Sequence, residues 1–185
     1  MKKLLLVLFV TVFAVTFVNA QSKMGASVQG LLSFPTGDFG DGAGTGFGAT
    51  GTFIYSVSPM LDVTGSVGYI KWGTKESTPG FEVSFSDIPI LVGLRYTFGK
   101  GQFLPYASAE TGLHMLSSSV KGTLFGFTVD ESDTETKFGI SPGVGFLYKF
   151  NPKTSLDVSA KYNMIFTEGS STTHLSVSAG VAFAL

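Results

Sequence analysis

The last ten residues read SVSAGVAFAL, positions 176–185. Val177, Ala179, Val181, Phe183 and Leu185 fall on one side of an extended chain, and Ser176, Ser178, Gly180, Ala182 and Ala184 on the other. Successive side chains of a strand point to opposite faces, so the run has one apolar face and one small, neutral face. An apolar strand with an open edge invites aggregation, and no turn, cap or polar tail closes this one off. The expectation is that both of its edges are paired, as in a sheet that closes on itself.

The same period of two recurs upstream in seven further runs, at 26–34, 47–57, 61–69, 88–98, 103–115, 137–148 and 156–166. In the second run, for example, Phe47, Ala49, Gly51, Phe53, Tyr55 and Val57 alternate with Gly48, Thr50, Thr52, Ile54 and Ser56. Helical periodicity is missing. Eight runs of about ten residues match the length a tilted strand needs to cross a bilayer.

The connectors alternate in length. PTGDFGDGAG (35–44), GTKESTPGFEVSFS (73–86) and SVKGTLFGFTVDESD (119–133) are long, and TEGSSTT (167–173) is of middling length. SPM (58–60), GKGQ (99–102) and NPK (151–153) are short. Short turns on one side and long loops on the other are the pattern of a transmembrane barrel. Charge divides the same way. The long loops hold Asp38, Asp41, Glu76, Glu82, Asp130, Glu131, Asp133 and Glu168 against Lys75 and Lys121, a net −6, while Lys100 and Lys153 lie on the short side.

Composition agrees. Of 185 residues only 14% are charged, against about 25% in ordinary soluble proteins, and Gly (24) and Phe (18) are high. A formal charge of −1 offers no basic surface for nucleic acid. The lack of Cys excludes a thiol nucleophile, a disulfide framework and a thiolate metal site. The N-terminus, MKKLLLVLFVTVFAVTFVNA, reads as a secretory signal peptide over residues 1–20. Lys2 and Lys3 precede an apolar stretch, Leu4 to Val18, and Val18-Asn19-Ala20 forms a cleavage site. Its removal leaves 10 basic and 13 acidic groups, a net charge of −3, on a single domain over residues 21–185.

Alternation alone leaves the outward face open. A soluble lipid-carrying barrel would put the apolar side inside and charge outside, but here the other face is mostly Ser, Thr and Gly. That is a poor aqueous exterior and a suitable filling for a narrow eight-stranded barrel. The apolar face then meets lipid, and the sheet must close because backbone groups in lipid have no water partner. Aromatics at the run ends fit two interfacial bands: Tyr55, Phe98, Phe103, Tyr148 and Phe150 near the short turns, and Phe34, Phe47, Trp72 and Phe166 near the long loops.

With these features the chain resembles the small outer-membrane β-barrel family, the OmpA-like and OmpX-like eight-stranded barrels, over all of residues 21–185. The terminal strand carries the most specific match. The family's barrel-assembly signal is a polar residue, a spacer, Gly, two spacers, and two hydrophobic residues one apart. Ser178, Gly180, Phe183 and Leu185 fit it in register, with Leu185 where an aromatic is usual. The resemblance implies a closed all-β, up-and-down antiparallel barrel in the outer membrane, recognised by the barrel-assembly machinery. It also implies protruding sheets with open edges that bind foreign proteins by edge pairing.

Six ionisable residues are expected in the lumen: Asp62, Arg95, Glu110, Lys137, Asp157 and Lys161, with His114 near them. Isolated charges there are costly, so they should pair and plug the barrel. In the third long loop, Leu124, Phe125, Phe127 and Val129 form a candidate partner surface, and the alternation continuing through Val120, Gly122 and Leu124 extends the strands beyond the membrane. His174 and Ser176 place a base and a hydroxyl on one face, as in some outer-membrane lipid A deacylases, but no Asp or Glu follows them. The glycines of DGAGTGFGATG (41–51) open a strand rather than a helix, which disfavours a phosphate loop. The carboxylates of DESDTE (130–135) lack a defined Ca²⁺ frame.

The expected protein is a non-enzymatic, monomeric outer-membrane barrel that takes neither cofactor nor metal. Its partners would be outer-membrane lipid and an extracellular protein. The alternatives are a narrow pore or lipid-active enzyme, and a soluble periplasmic lipid-binding barrel.

Overall fold

The computed structural model describes residues 23–75, 81–124, 127–167 and 170–185, and the side chains of 81, 82, 121–124, 127–131 and 170 are outside that description. The expected signal peptide, Phe125, and the side chains of Leu124, Phe127 and Val129 therefore lie outside the described residues.

Eight antiparallel strands close into one barrel in the order β1-β2-β3-β4-β5-β6-β7-β8. They are β1 (Met24–Thr36), β2 (Gly46–Ser56), β3 (Leu61–Gly73), β4 (Phe81–Thr97), β5 (Phe103–Leu124), β6 (Phe127–Asn151), β7 (Thr154–Thr167) and β8 (Ser170–Ala184). One short helix, α1 (Asp38–Gly42), lies between β1 and β2. The run at 176–185 forms most of β8, which pairs with β7 on one edge and with β1 on the other, from Gly25↔Ala184 to Thr36↔Thr173. The apolar end of the chain is thus the closing seam of the sheet.

The outward face carries Val28, Phe47, Val92 and Val144, each more than 60% exposed. The inward face buries Ser27, Gln29, Thr64, Arg95, Glu110, Ser141 and Asp157. This is the reverse of a water-soluble protein, in which apolar groups are the most often buried, and it is the arrangement that lipid requires. The soluble-carrier alternative fails on this point. Outward aromatics ring both ends: Tyr55, Phe98, Phe103, Tyr148 and Phe150 at the short-turn end, Phe34, Phe47 and Phe166 at the other. Trp72 does not join them. It is 1% exposed, on the inward parity with Ile70.

The short turns are tight. Between β4 and β5, Gly99 and Gly101 adopt φ of 87° and 116°, a region that glycine enters without a Cβ penalty. The long side differs from the expected loops. β4 begins at Phe81, and β5 and β6 stay paired in register from Phe103↔Tyr148 to Leu124↔Phe127. Residues 81–86 and most of segment 119–133 are therefore strand, because continued alternation brings these residues opposite cross-strand partners.

Candidate functional site: a braced lumen and a protruding ridge

In the half of the lumen nearer the short turns, Asp157 of β7 is the hub. Its carboxylate accepts hydrogen bonds from Tyr106 Oη (2.7 Å) and Ser27 Oγ (3.0 Å), and Arg95 Nη2 stands 3.5 Å away. Gln29 Nε2 donates to the Asp157 carbonyl at 3.1 Å. The Arg95 guanidinium also lies 4.3 Å above the Tyr106 ring centroid, a cation–π contact. Asp157 and Arg95 are almost fully buried. This cluster ties β1, β4, β5 and β7 together across the barrel.

A second bridge runs from Lys161 Nζ of β7 to Glu110 Oε2 of β5 at 2.5 Å, and Thr64 Oγ1 of β3 donates to Glu110 Oε1 at 3.3 Å. Beside it, Asn163 accepts from Ser141 Oγ and donates to Ser176 Oγ, both at 2.7 Å. Four of the six expected lumen ions, Arg95, Glu110, Asp157 and Lys161, thus meet as two pairs. The other two do not join them. Asp62 is half-buried near the short turns and accepts from Ser56 Oγ at 2.6 Å. Lys137 stands higher on β6 and pairs with Glu135 of its own strand at 3.0 Å.

The half nearer the long loops is built differently. Asp87 Oδ2 lies 2.7 Å from His114 Nδ1, with both side chains buried. The other Asp87 oxygen, His114 Nε2, both His174 nitrogens, Ser33 Oγ and Trp72 Nε1 are buried without a hydrogen-bond partner. Asp87 fell between the loop and the run in the sequence. Its parity with Pro89 and Leu91 is the signal that places it inward. His174 and Ser176 do not form a dyad, since the serine hydroxyl is engaged by Asn163 and the imidazole is sealed inside the barrel.

α1 covers this half. Phe39 meets Trp72 and Phe85 edge-on, with centroids 5.5 and 5.8 Å apart, over a small core of Ala43, Ile70 and Trp72. Lys75 Nζ donates to the Gly40 carbonyl and holds the helix down. The segment expected as an open loop at 35–44 is thus a folded cap.

Beyond the cap, β4, β5 and β6 continue as a ridge. Pairing of β6 with β7 begins at Phe138↔Phe166. Residues 127–136 of β6 pair with β5 alone among the described residues.

The sequence matches the family model described as "Outer membrane protein beta-barrel domain" over residues 4–183. The chain belongs to this outer-membrane barrel family. It is accordingly a protein of the outer membrane. Solved structures share the fold. Neisserial surface protein A is 18% identical, with 88% of this chain and 97% of that one covered, at a TM-score of 0.60. Ail of Yersinia pestis, in complex with the heparin analogue sucrose octasulfate, is 14% identical, with 90% and 100% covered, at 0.64. A major outer membrane protein from Thermus thermophilus is 12% identical, with 88% and 99% covered, at 0.63. No curated protein matches the sequence.

The residues matching the family's assembly signal sit at the β1–β8 seam. Ser178 is buried and its hydroxyl lies 2.7 Å from that of Ser159, while Phe183 and Leu185 face outward. At Gly180 a Cβ would lie 2.6 Å from the Gln29 Cα, so no larger residue fits the seam there. Among the described residues, no group of three or more His, Cys, Asp or Glu is placed to hold a metal. The acidic stretch at 130–135 shows Asp133 and Glu135 exposed, and the side chains of Asp130 and Glu131 lie outside the described residues.

Proposed function

We propose that this outer-membrane barrel is a non-enzymatic, monomeric surface protein with a plugged lumen, and that its β4–β5–β6 ridge binds an extended segment of an extracellular protein. On this reading residues 1–20 direct export, and Ser178, Gly180, Phe183 and Leu185 present the last strand to the assembly machinery. The observation that carries the binding role is the second edge of β6 over 127–136, which pairs with no other strand among the described residues. An exposed row of backbone N–H and C=O groups is a template for an added strand. Leu124, Phe127 and Val129 belong to the outermost pairs of β5 and β6, and with Phe125 they would supply side-chain contacts.

Charge narrows the partner. The Ail structure contains a polysulfated ligand, whereas the long loops here carry a net −6. A polyanion is therefore disfavoured, and a neutral or basic polypeptide suits the ridge. The plugged lumen rests on the two cross-barrel ion pairs.

The test replaces residues 120–131 by Asn-Gly, a two-residue hairpin turn joining the paired Ser119 and Ser132. Cells displaying the full chain should adhere to surfaces coated with a panel of extracellular-matrix proteins, and cells displaying the shortened chain should not. Equal adhesion would overturn the ridge assignment. In planar bilayers the full chain should give no steady conductance, and stable single-channel steps would favour the narrow pore.

A further inference from the structure

A cavity of about 230 Å³ opens at the extracellular mouth, above the cap. Phe39, Trp72, Phe85 and Leu116 form its apolar wall, and Asp133 and Glu135 stand on its β6 side. Drug-sized ligands occupy clefts of roughly 300–1,000 Å³, so this one suits a smaller molecule. The Trp72 and Phe85 rings both meet the Phe39 ring edge to face. Such rings present negative faces and attract a cation. The charge of the rim has the same sense. Glu135 is shared with Lys137, but Asp133 makes no ion pair among the described residues. The surrounding long loops add further negative charge.

We infer that the mouth cavity is a binding site for a small organic cation with an apolar body, an arylalkyl or alkyl ammonium compound. The apolar body would rest on Phe39, Trp72 and Leu116, and the ammonium group would face Asp133. A neutral molecule of the same shape would fill the cavity without the charge contact. An anion would meet repulsion. The carboxylates belong to the stretch of β6 whose outer edge is proposed to pair with a polypeptide, whereas the aromatic wall comes from the cap, β3 and β4.

Trp72 is the only tryptophan of the chain and forms part of the cavity wall, so its fluorescence reports occupancy. The full-length barrel in lipid nanodiscs would be titrated with phenethylammonium and, separately, with the neutral isostere 2-phenylethanol. Phenethylammonium should give a saturable change and bind about tenfold more tightly than the alcohol. The Asp133→Asn/Glu135→Gln variant should weaken the ammonium about fivefold to tenfold, the range expected for two solvent-exposed ion contacts, and leave the alcohol unchanged. Ser118→Phe, which adds a ring at the cavity wall, should abolish both signals. Partitioning into lipid would survive Ser118→Phe, and that result would overturn the site. Equal affinity for the two ligands, or no loss in the carboxylate variant, would overturn the cation assignment. Both variants must retain the heat-sensitive gel mobility of a folded barrel for the comparison to stand.

Discussion

The two halves of the lumen solve the same problem differently. Toward the short turns, every oxygen of the Asp157 carboxylate has a partner, and the ion pairs run from one wall of the barrel to the other. Toward the long loops, the Asp87–His114 pair joins strands only one hairpin apart, several buried polar atoms have no partner, and an aromatic cap closes the top. A buried ion pair repays its desolvation only when its remaining hydrogen-bonding capacity is filled. The first half comes nearer to that condition: both Asp157 oxygens are engaged, while Arg95 Nη1 and Ser108 Oγ have no partner. The second half is further from it, and relies on Phe39, Trp72 and Phe85 for closure.

The largest expected effect follows from breaking the hub. Asp157→Ala strands Arg95 without its counter-charge and frees Tyr106 and Ser27, so urea unfolding in lipid should show a loss of about 3–5 kcal/mol. Next is Gly145→Ala. The added Cβ would collide with the Val158 carbonyl oxygen and lie 2.5 Å from Tyr106 Cζ and 2.6 Å from its hydroxyl, straining the β6–β7 pairing and pushing the phenol off Asp157. Overpacking of this kind costs about 1–3 kcal/mol, read in the same unfolding assay. Removing the cap should matter less to stability and more to access. Phe39→Ala should cost about 1 kcal/mol, since the ring is only half-buried, and should make Trp72 markedly easier to quench with acrylamide. The smallest effect is expected for Asp87→Leu combined with His114→Leu. Replacing a poorly satisfied buried pair by apolar groups is often neutral or stabilising, so the melting behaviour should change by less than about 1 kcal/mol. A large loss there would show that both halves are braced alike.

The strands and their faces were legible because a barrel wall repeats one rule, apolar out and small or polar in, at every second residue. Val177 to Leu185 obey it without a break, and Phe47 to Tyr55 depart from it only at Ile54, which is turned inward. The same rule, carried past the run ends, turns Trp72 inward with Ile70 and Asp87 inward with Pro89; both residues lie in the gap between a run and the loop beside it, where the alternation continues. The cap was not legible at all. A five-residue helix has no periodicity to read, and the glycines of 35–44 speak for a loop. Nor could the ion partners be assigned. Arg95 has Asp62 and Ser108 as its neighbours in register, yet its counter-ion comes from β7, across the lumen. That choice depends on the stagger of the closed barrel, a property of no single segment. For the same reason Lys137, inward by parity, finds Glu135 on its own strand.

The most direct test of the braced lumen is a double-mutant cycle on Arg95→Met and Asp157→Leu, with urea unfolding of the barrel in lipid vesicles as the readout. The cross-barrel pairing predicts that the two losses are not additive, with a coupling of about 2 kcal/mol, within the range seen for directly interacting residues. Additivity to within about 0.5 kcal/mol would contradict it, and would mean that Arg95 and Asp157 are held by the barrel without holding it together.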